Sequence, residues 1–434
     1  MSRPTPTDPA RPRGWRSIPL RWRLIGLVTL GTILNYLARS TLSVAAPQLK
    51  SEFGMSTADY AWVVLAFQGS YTVMQTVAGG VLDALGTRLG FFLFAVGWAL
   101  ANMAHALATG WPSLALFRAL LGGTEAAAIP AGAKAVSEWF PPRERSLATS
   151  VFQMGTSVGN MIAPPLVAFC ILAWNWQAAF LVTGGLSLVW AFLWFWAYRS
   201  PAEHPALSDA ERVAITAARE EDVDGKPTTR RDLLKSRAFW GIAIPRFLAE
   251  PAWQTFNFFI PLYLVAVWQL DLKSIALWAW MPFLAADFGS LAAGVLPSWL
   301  MKRGVPLVAS RKMTMTVGAL CMIGPACIGL AGSPGIAILL FCVGGFAHQM
   351  LSGALITLCA DMFDSRTVGT ASGMAGTSAW VGGMLFTLLI GQSADAFGYD
   401  PLFAALAVLD IVAAAVLWSL LRSRPRTPVA IQEG

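Results

Sequence analysis

Apolar stretches of about 20 residues recur along the whole chain with short polar breaks between them. Each is long enough to cross a bilayer as a helix, which satisfies its own backbone groups where no water can do so. They fall at 24–46, 59–82, 89–109, 112–133, 146–170 and 176–198, then at 238–266, 274–300, 313–332, 335–359, 369–393 and 400–421. One long hydrophilic stretch, Arg199 to Arg237, divides them into two sets of six. The expected fold is an all-α membrane protein of twelve transmembrane helices. Its parts are an N-terminal segment (1–23), a six-helix bundle (24–198), a linker (199–237), a second six-helix bundle (238–421) and a tail (422–434).

Charge is scarce and its placement is informative. Only 13% of the 434 residues are charged, against about a quarter in a soluble domain. The net charge of +7 could suggest nucleic acid, but the basic residues crowd into alternate loops. Arg3, Arg11, Arg13, Arg16, Arg21 and Arg23 precede the first span. Arg212, Arg219, Lys226, Arg230, Arg231, Lys235 and Arg237 lie in the linker, and Arg422, Arg424 and Arg426 in the tail. The opposite loops hold little beyond Lys50 and Lys273. This positive-inside pattern places both termini and the linker on the cytoplasmic face of a bacterial inner membrane, with lipid rather than nucleic acid as the surrounding partner.

The N-terminal segment runs straight into a full-length span, unlike a cleavable signal. The linker stretch Ser208 to Asp222 has helical composition and reads as a connector. The five cysteines sit in or near apolar segments without metal spacing, as packing residues. There is no phosphate-cradling glycine loop ending in Lys-Ser or Lys-Thr, and His105 and His348 are membrane-embedded while His204 lies in the linker. ATP drive, enzymatic activity, a metal and a cofactor are therefore not expected.

The two sets of spans share a weak repeat. Gly79-Gly80-Val81-Leu82-Asp83-Ala84-Leu85-Gly86-Thr87-Arg88 follows the second span, and Gly294 to Ser298, then Lys302-Arg303-Gly304, follows the eighth. A duplicated six-helix unit makes the bundles pseudo-symmetric, with a binding site near mid-membrane between them. Gly79-x3-Asp83-x2-Gly86-x-Arg88 resembles the signature loop of the major facilitator superfamily, with Ala84 in place of the usual basic residue. The resemblance implies that Asp83, with Gly86 and Arg88, gates conformation, Asp83 capping the eleventh span near Gly369.

Longer matches follow at Asn35-Tyr36-Leu37-Ala38-Arg39, Gly123 to Pro130 with Lys134 and Ser137 to Pro141, Arg246 to Trp253, Pro282 to Asp287 and Gly345 to Gln349. Together they resemble the anion:cation symporter branch, and within it the bacterial hexuronate transporters, with galactonate transporters next. The resemblance implies a monomeric carrier of a small organic anion together with protons.

Ionisable residues inside spans are costly and mark sites by default. Arg39 shares a helix face with Tyr36 and Ser43, and its planar fork suits a carboxylate. Arg118 and Glu125 lie two turns apart on one face, with Gly122 between them expected to leave open volume. They read as part of the site or as a buried ion pair. By resemblance Arg39 holds the substrate carboxylate, Arg118 is the arginine of proton-driven members and Glu125 takes the proton. Gln68, Tyr71 and Gln75 share a face, with Tyr71 the substrate-contacting tyrosine of the branch. Thr156 stands where galactonate carriers have a glutamine, which weakens that reading. His348, Gln349 and Ser352 cluster in the tenth span, as packing or, by resemblance, as contacts to sugar hydroxyls. Leu351 replaces a frequent tryptophan, which puts a ring-stacking contact in doubt.

Arg246 and Glu250, spaced i,i+4 with Trp253 on the same face, read as an internal pair near one end of the seventh span. Asp287 and Asp410 have no assignable partner. The glycines at 155 and 159, 373 and 376, and 382 and 383 read as close-approach or hinge points. Ala38 replaces the acid that commonly precedes the first-span arginine, so one proton per monoanion is expected. Another carboxylate (an aldonate, or an aromatic or dicarboxylic acid), an exporter and a transport-dead sensor remain alternatives.

Overall fold

A computed structural model of the chain describes residues 19–207, 212, 215, 229–269, 278, 280–397 and 400–421. Among the described residues every regular element is helical. The first group is α1 (Leu20–Glu52), α2 (Thr57–Ala104), α3 (Trp111–Glu125), α4 (Ala128–Trp139), α5 (Pro142–Ala173) and α6 (Trp176–Ala197). After a short α7 (Arg230–Lys235) come α8 (Arg237–Trp268), α9 (Met281–Lys302), α10 (Leu307–Cys321), α11 (Pro334–Met362), α12 (Val368–Phe397) and α13 (Asp400–Leu420).

Eight helices among the described residues are long and apolar enough to cross a membrane. One of them, Trp62–Leu107, runs 46 residues and holds two spans. The chain turns back inside it at Gly86, whose φ of 79° is open to a residue without Cβ. With α1, α8 and α12, each at least 30 residues long, the twelve expected crossings are accounted for. Gly304, with φ 87°, turns the chain at the matching point of the second group, which is the backbone signature of the repeat.

Two spans depart from the sequence expectation. The fourth is broken between α3 and α4, immediately after Glu125, and the ninth is broken after Cys321. Most of the expected linker helix, the loop carrying Lys273, and the terminal segments 1–18 and 422–434 lie outside the described residues. His204 is not a free linker residue: its ring packs edge-on against Trp139 at 5.6 Å, and burial pushes its imidazole below the ordinary value.

Helix starts follow their capping residues. Ser56 and Asp59 close a capping box on α2, whose hydrogen bonds hold the Asp59 carboxyl below its ordinary value. Asn175 caps α6 and Ser333 caps α11. Large apolar side chains such as Leu172, Trp196, Val189 and Leu339 point outward, as a lipid-facing surface requires, while alanines and glycines fill the contacts between helices. A Cβ on Gly155 or Gly159 would strike the backbone of α1, and one on Gly373 or Gly382 would strike that of α2 or α8. These glycines therefore mark close helix crossings.

Two crossings join the groups: α2 against α12, and α5 against α9. At the Asp83 end of the bundle they are reinforced by charge. The Asp83 carboxylate accepts from the backbone N–H groups of Gly369 (3.2 Å) and Thr370 (2.6 Å) and from the Thr370 hydroxyl (2.6 Å). Lys134 of α4 pairs with it at 2.5 Å. The expected cap is thus present, at the first turn of α12. Arg88 stays within its own group, donating to the Phe195 carbonyl at 2.9 Å and lying over the Phe195 ring.

A second cluster closes the same end. Asp361, at the end of α11, receives Arg311 of α10 at 2.9 Å and Arg145 of α5 at 3.5 Å. Arg145 also donates to the Ala360 carbonyl and Arg311 to the Pro142 carbonyl, so each arginine holds backbone of the opposite group.

Candidate functional site

Between the groups lies a chamber of about 860 Å³, lined by α1, α2, α3, α5, α8, α11 and α12. Its lining runs from Ile129 and Ile356 near the closed end to Ser43, Tyr60 and Leu65 toward the α1–α2 connection. Every substrate-binding residue expected from the sequence lines it: Tyr36, Arg39, Tyr71, Gln75, Arg118, Thr156, His348, Gln349 and Ser352.

Tyr36, Arg39, Ser40 and Ser43 form one face of α1. Ser40 fixes this face to α5 by donating to Asn160 at 2.8 Å. The Arg39 guanidinium is caged by rings, with Tyr36 at 4.4 Å, Tyr71 at 4.8 Å, Phe67 at 5.1 Å and Trp380 at 5.8 Å. Such contacts attract a cation and keep its planar fork in a fixed attitude. Its side chain is 15% exposed, so the charge reaches the chamber.

Behind it sits Glu125, fully buried and absent from the chamber lining. Arg39 Nε donates to Glu125 Oε2 at 3.0 Å, while Glu125 Oε1 has no partner. The buried pair is therefore Arg39–Glu125, not the Arg118–Glu125 pair that the shared face suggested. Arg118 instead donates to the Arg39 carbonyl at 2.9 Å and lies over Phe67 at 4.8 Å, with Nε and Nη1 unpartnered. Gly122 leaves no open volume. A Cβ there would meet the Phe67 carbonyl, so this glycine lets α3 press against α2. Two guanidinium groups thus converge on one wall, and the acid that balances one of them is reachable only past it.

The opposite wall corrects a second expectation. Arg246, Glu250, Trp253 and Gln254 of α8 all line the chamber. Arg246 Nη1 donates to Ser352 Oγ at 3.3 Å and Glu250 accepts from Gln254 at 3.4 Å, in place of an internal pair between them. His348 stacks on Trp253 at 5.3 Å, and Gln349 donates to Thr156 of α5 at 3.4 Å. Leu351 is buried in the core of the second group, away from the chamber. Trp380, which sequence reasoning missed, supplies an indole from α12 instead. Its signal was a lone tryptophan one turn past Gly373 and Gly376, the small residues that bring α12 against Gln75 of α2.

Asp287 and Asp410 are buried with unpartnered oxygens and stand outside the chamber lining. Among the described residues no group of three or more His, Cys, Asp or Glu is placed to hold a metal.

The comparisons agree with this geometry. The Major Facilitator Superfamily model matches residues 28–310 and 308–434. The chain is 50% identical over 415 residues to a hexuronate transporter of Escherichia coli K12, covering 95% of this chain and 96% of that one. It is 49% identical over 323 residues to a galacturonate transporter of Dickeya chrysanthemi, covering 74% and 94%. In fold it is similar to the proton:xylose symporter XylE, with a TM-score of 0.78 over 93% of this chain and 96% of that one at 15% identity. A multi-pass membrane protein with a two-walled central chamber, this chain belongs to the major facilitator superfamily.

Proposed function

We propose that this protein takes up a hexuronate such as glucuronate or galacturonate across the bacterial inner membrane together with a proton. The observation that carries this reading is the Arg39–Glu125 pair: a chamber-facing guanidinium whose counter-charge lies sealed behind it. The extent of the identity to hexuronate and galacturonate transporters supplies the substrate class.

The mechanism follows from competition for one guanidinium. A substrate carboxylate entering the chamber offers Arg39 a bidentate partner. Arg39 turns toward it, and Glu125 loses its ion-pair partner. A buried carboxylate without one is expensive, so Glu125 accepts a proton. Substrate binding and protonation therefore favour each other, which is the linkage that symport requires. Arg118, fixed to the Arg39 carbonyl, adds positive field to the same wall. Tyr36, Tyr71 and Gln75 frame the carboxylate end, and Thr156, His348, Gln349 and Ser352 face the hydroxyl-bearing end.

The gating reading rests on Asp83, Gly86 and Arg88. With both termini cytoplasmic, the end closed by Asp83 and Asp361 is the cytoplasmic gate, and the chamber is turned outward. The two six-helix bundles, 24–198 and 238–421 on either side of the linker 199–237, rock about the chamber as a single-chain carrier. Purified protein in liposomes with an inward proton gradient is expected to accumulate labelled glucuronate or galacturonate, and Arg39→Ala is expected to abolish it. Binding of hexuronate without any net movement would favour a sensor instead.

A further inference from the structure

The chamber carries a second carboxyl, Glu250, on the wall opposite Arg39. It stands one turn beyond Arg246 and one turn before Gln254 on the chamber face of α8. Glu250 is buried to about nine-tenths, and its described hydrogen bond is a long one, 3.4 Å, from Gln254. The α12 backbone closes behind it, where a Cβ on Gly383 would meet both Glu250 Cγ and Gln254 Cγ. A carboxylate has four acceptor sites, and most of those on Glu250 await donors. Arg246 spends its resolved hydrogen bond on Ser352 rather than on this acid. Trp253 and the stacked His348 ring lie beside it as a flat surface. From the far wall Tyr36 and Arg39 of α1 face the same space.

A chamber with three arginines and no opposing acid would accept one carboxylate or two with little discrimination. Glu250 breaks that indifference. We propose that Glu250 selects singly charged sugar acids, accepting hydrogen bonds from the end of the substrate remote from its carboxylate and rejecting a second carboxylate there. This inference rests on the reading that Arg39 holds the substrate carboxylate. With one carboxylate on the Arg39 wall, the far end of the sugar is brought toward α8. A hydroxyl there donates to Glu250. A carboxylate there cannot donate, and it meets like charge in a poorly solvated space, a repulsive element of specificity. Glu250 also offsets the field of Arg246 one turn away. Its removal would leave that guanidinium to attract the second carboxylate.

D-glucuronate and D-glucarate test the point, because they differ only in whether C1 is a masked aldehyde or a carboxylate. Binding of both to purified full-length protein, wild type and Glu250→Gln, would be measured at fixed pH above neutrality. The wild type is expected to prefer glucuronate by at least tenfold. Glu250→Gln is expected to bind glucarate at least tenfold more tightly than the wild type does, and Glu250→Asp to keep the preference. A gain in binding cannot come from misfolding. The proposal is overturned if the wild type binds the two equally, or if Glu250→Gln leaves the preference unchanged. A wild type that binds glucarate alone, or neither acid, overturns this inference together with the hexuronate reading. Glucuronate binding that depends on Arg39 but is matched by glucarate sinks this inference alone.

Discussion

The two crossings that join the helix groups have the same backbone form and different chemistry. In the α2–α12 crossing, Gly79 faces Gly369 and Asp83 reaches across to cap α12. In the α5–α9 crossing, Gly294 faces Leu147 and Ser150 in the same manner. There the residue in the position of Asp83 is Ser298, which bonds back to the Gly294 carbonyl of its own helix at 3.0 Å. The second crossing obtains its charge from elsewhere, through Asp361 and the two arginines that grip it. Duplication preserved the close approach of small residues, while the ionic latch was placed independently in each half. Both latches lie at one end of the bundle, so a single displacement there would release the two together.

This asymmetry can be broken in order of severity. Asp361→Asn is expected to have the largest effect. It strands Arg311, which is fully buried, and weakens Arg145, and loss of one partner from a buried ion cluster costs about 3–5 kcal/mol. The midpoint of thermal unfolding in detergent should fall well below that of the wild type, and an unchanged midpoint would remove the cluster from the account. Asp83→Asn keeps the shape and loses the charge at a helix N-terminus and beside Lys134. An effect of about 1–2 kcal/mol is expected, or roughly 5–30-fold in the balance between the two gate states. Spin labels on α2 and α12 at the Asp83 end should show a longer separation becoming populated; an unshifted distance distribution would mean that Asp83 does not hold the gate. Ser298→Ala should change neither stability nor gate distances, within about 0.5 kcal/mol, because its bond is internal to α9. A clear loss would show that the second crossing uses this position after all.

Much of this was legible in the sequence because it depends on residue type and local spacing. The spans, the turn at Gly86, the Asp83 cap on α12 and the α1 face of Tyr36 and Arg39 all came from such patterns. What could not be read was which helix supplies the neighbour. Spacing placed Arg118 and Glu125 on one face of the fourth span, yet the helix breaks directly after Glu125 and the guanidinium that reaches it comes from α1. Arg246 and Glu250 have the spacing of an intrahelical pair, yet Ser352 on α11 captures the arginine. Arg311 and Asp361 look like ordinary loop-edge charges until α5 is packed against α11. In each case the pattern within a helix fixed the face, and the contact between helices fixed the partner.

The central claim is that Glu125 takes a proton when the substrate draws Arg39 away from it. Its most direct test compares two modes of Glu125→Gln in liposomes: exchange of labelled for unlabelled hexuronate, and uphill accumulation driven by a pH gradient. The account predicts that exchange persists while proton-driven accumulation disappears. Accumulation at the wild-type level on the pH gradient would contradict it.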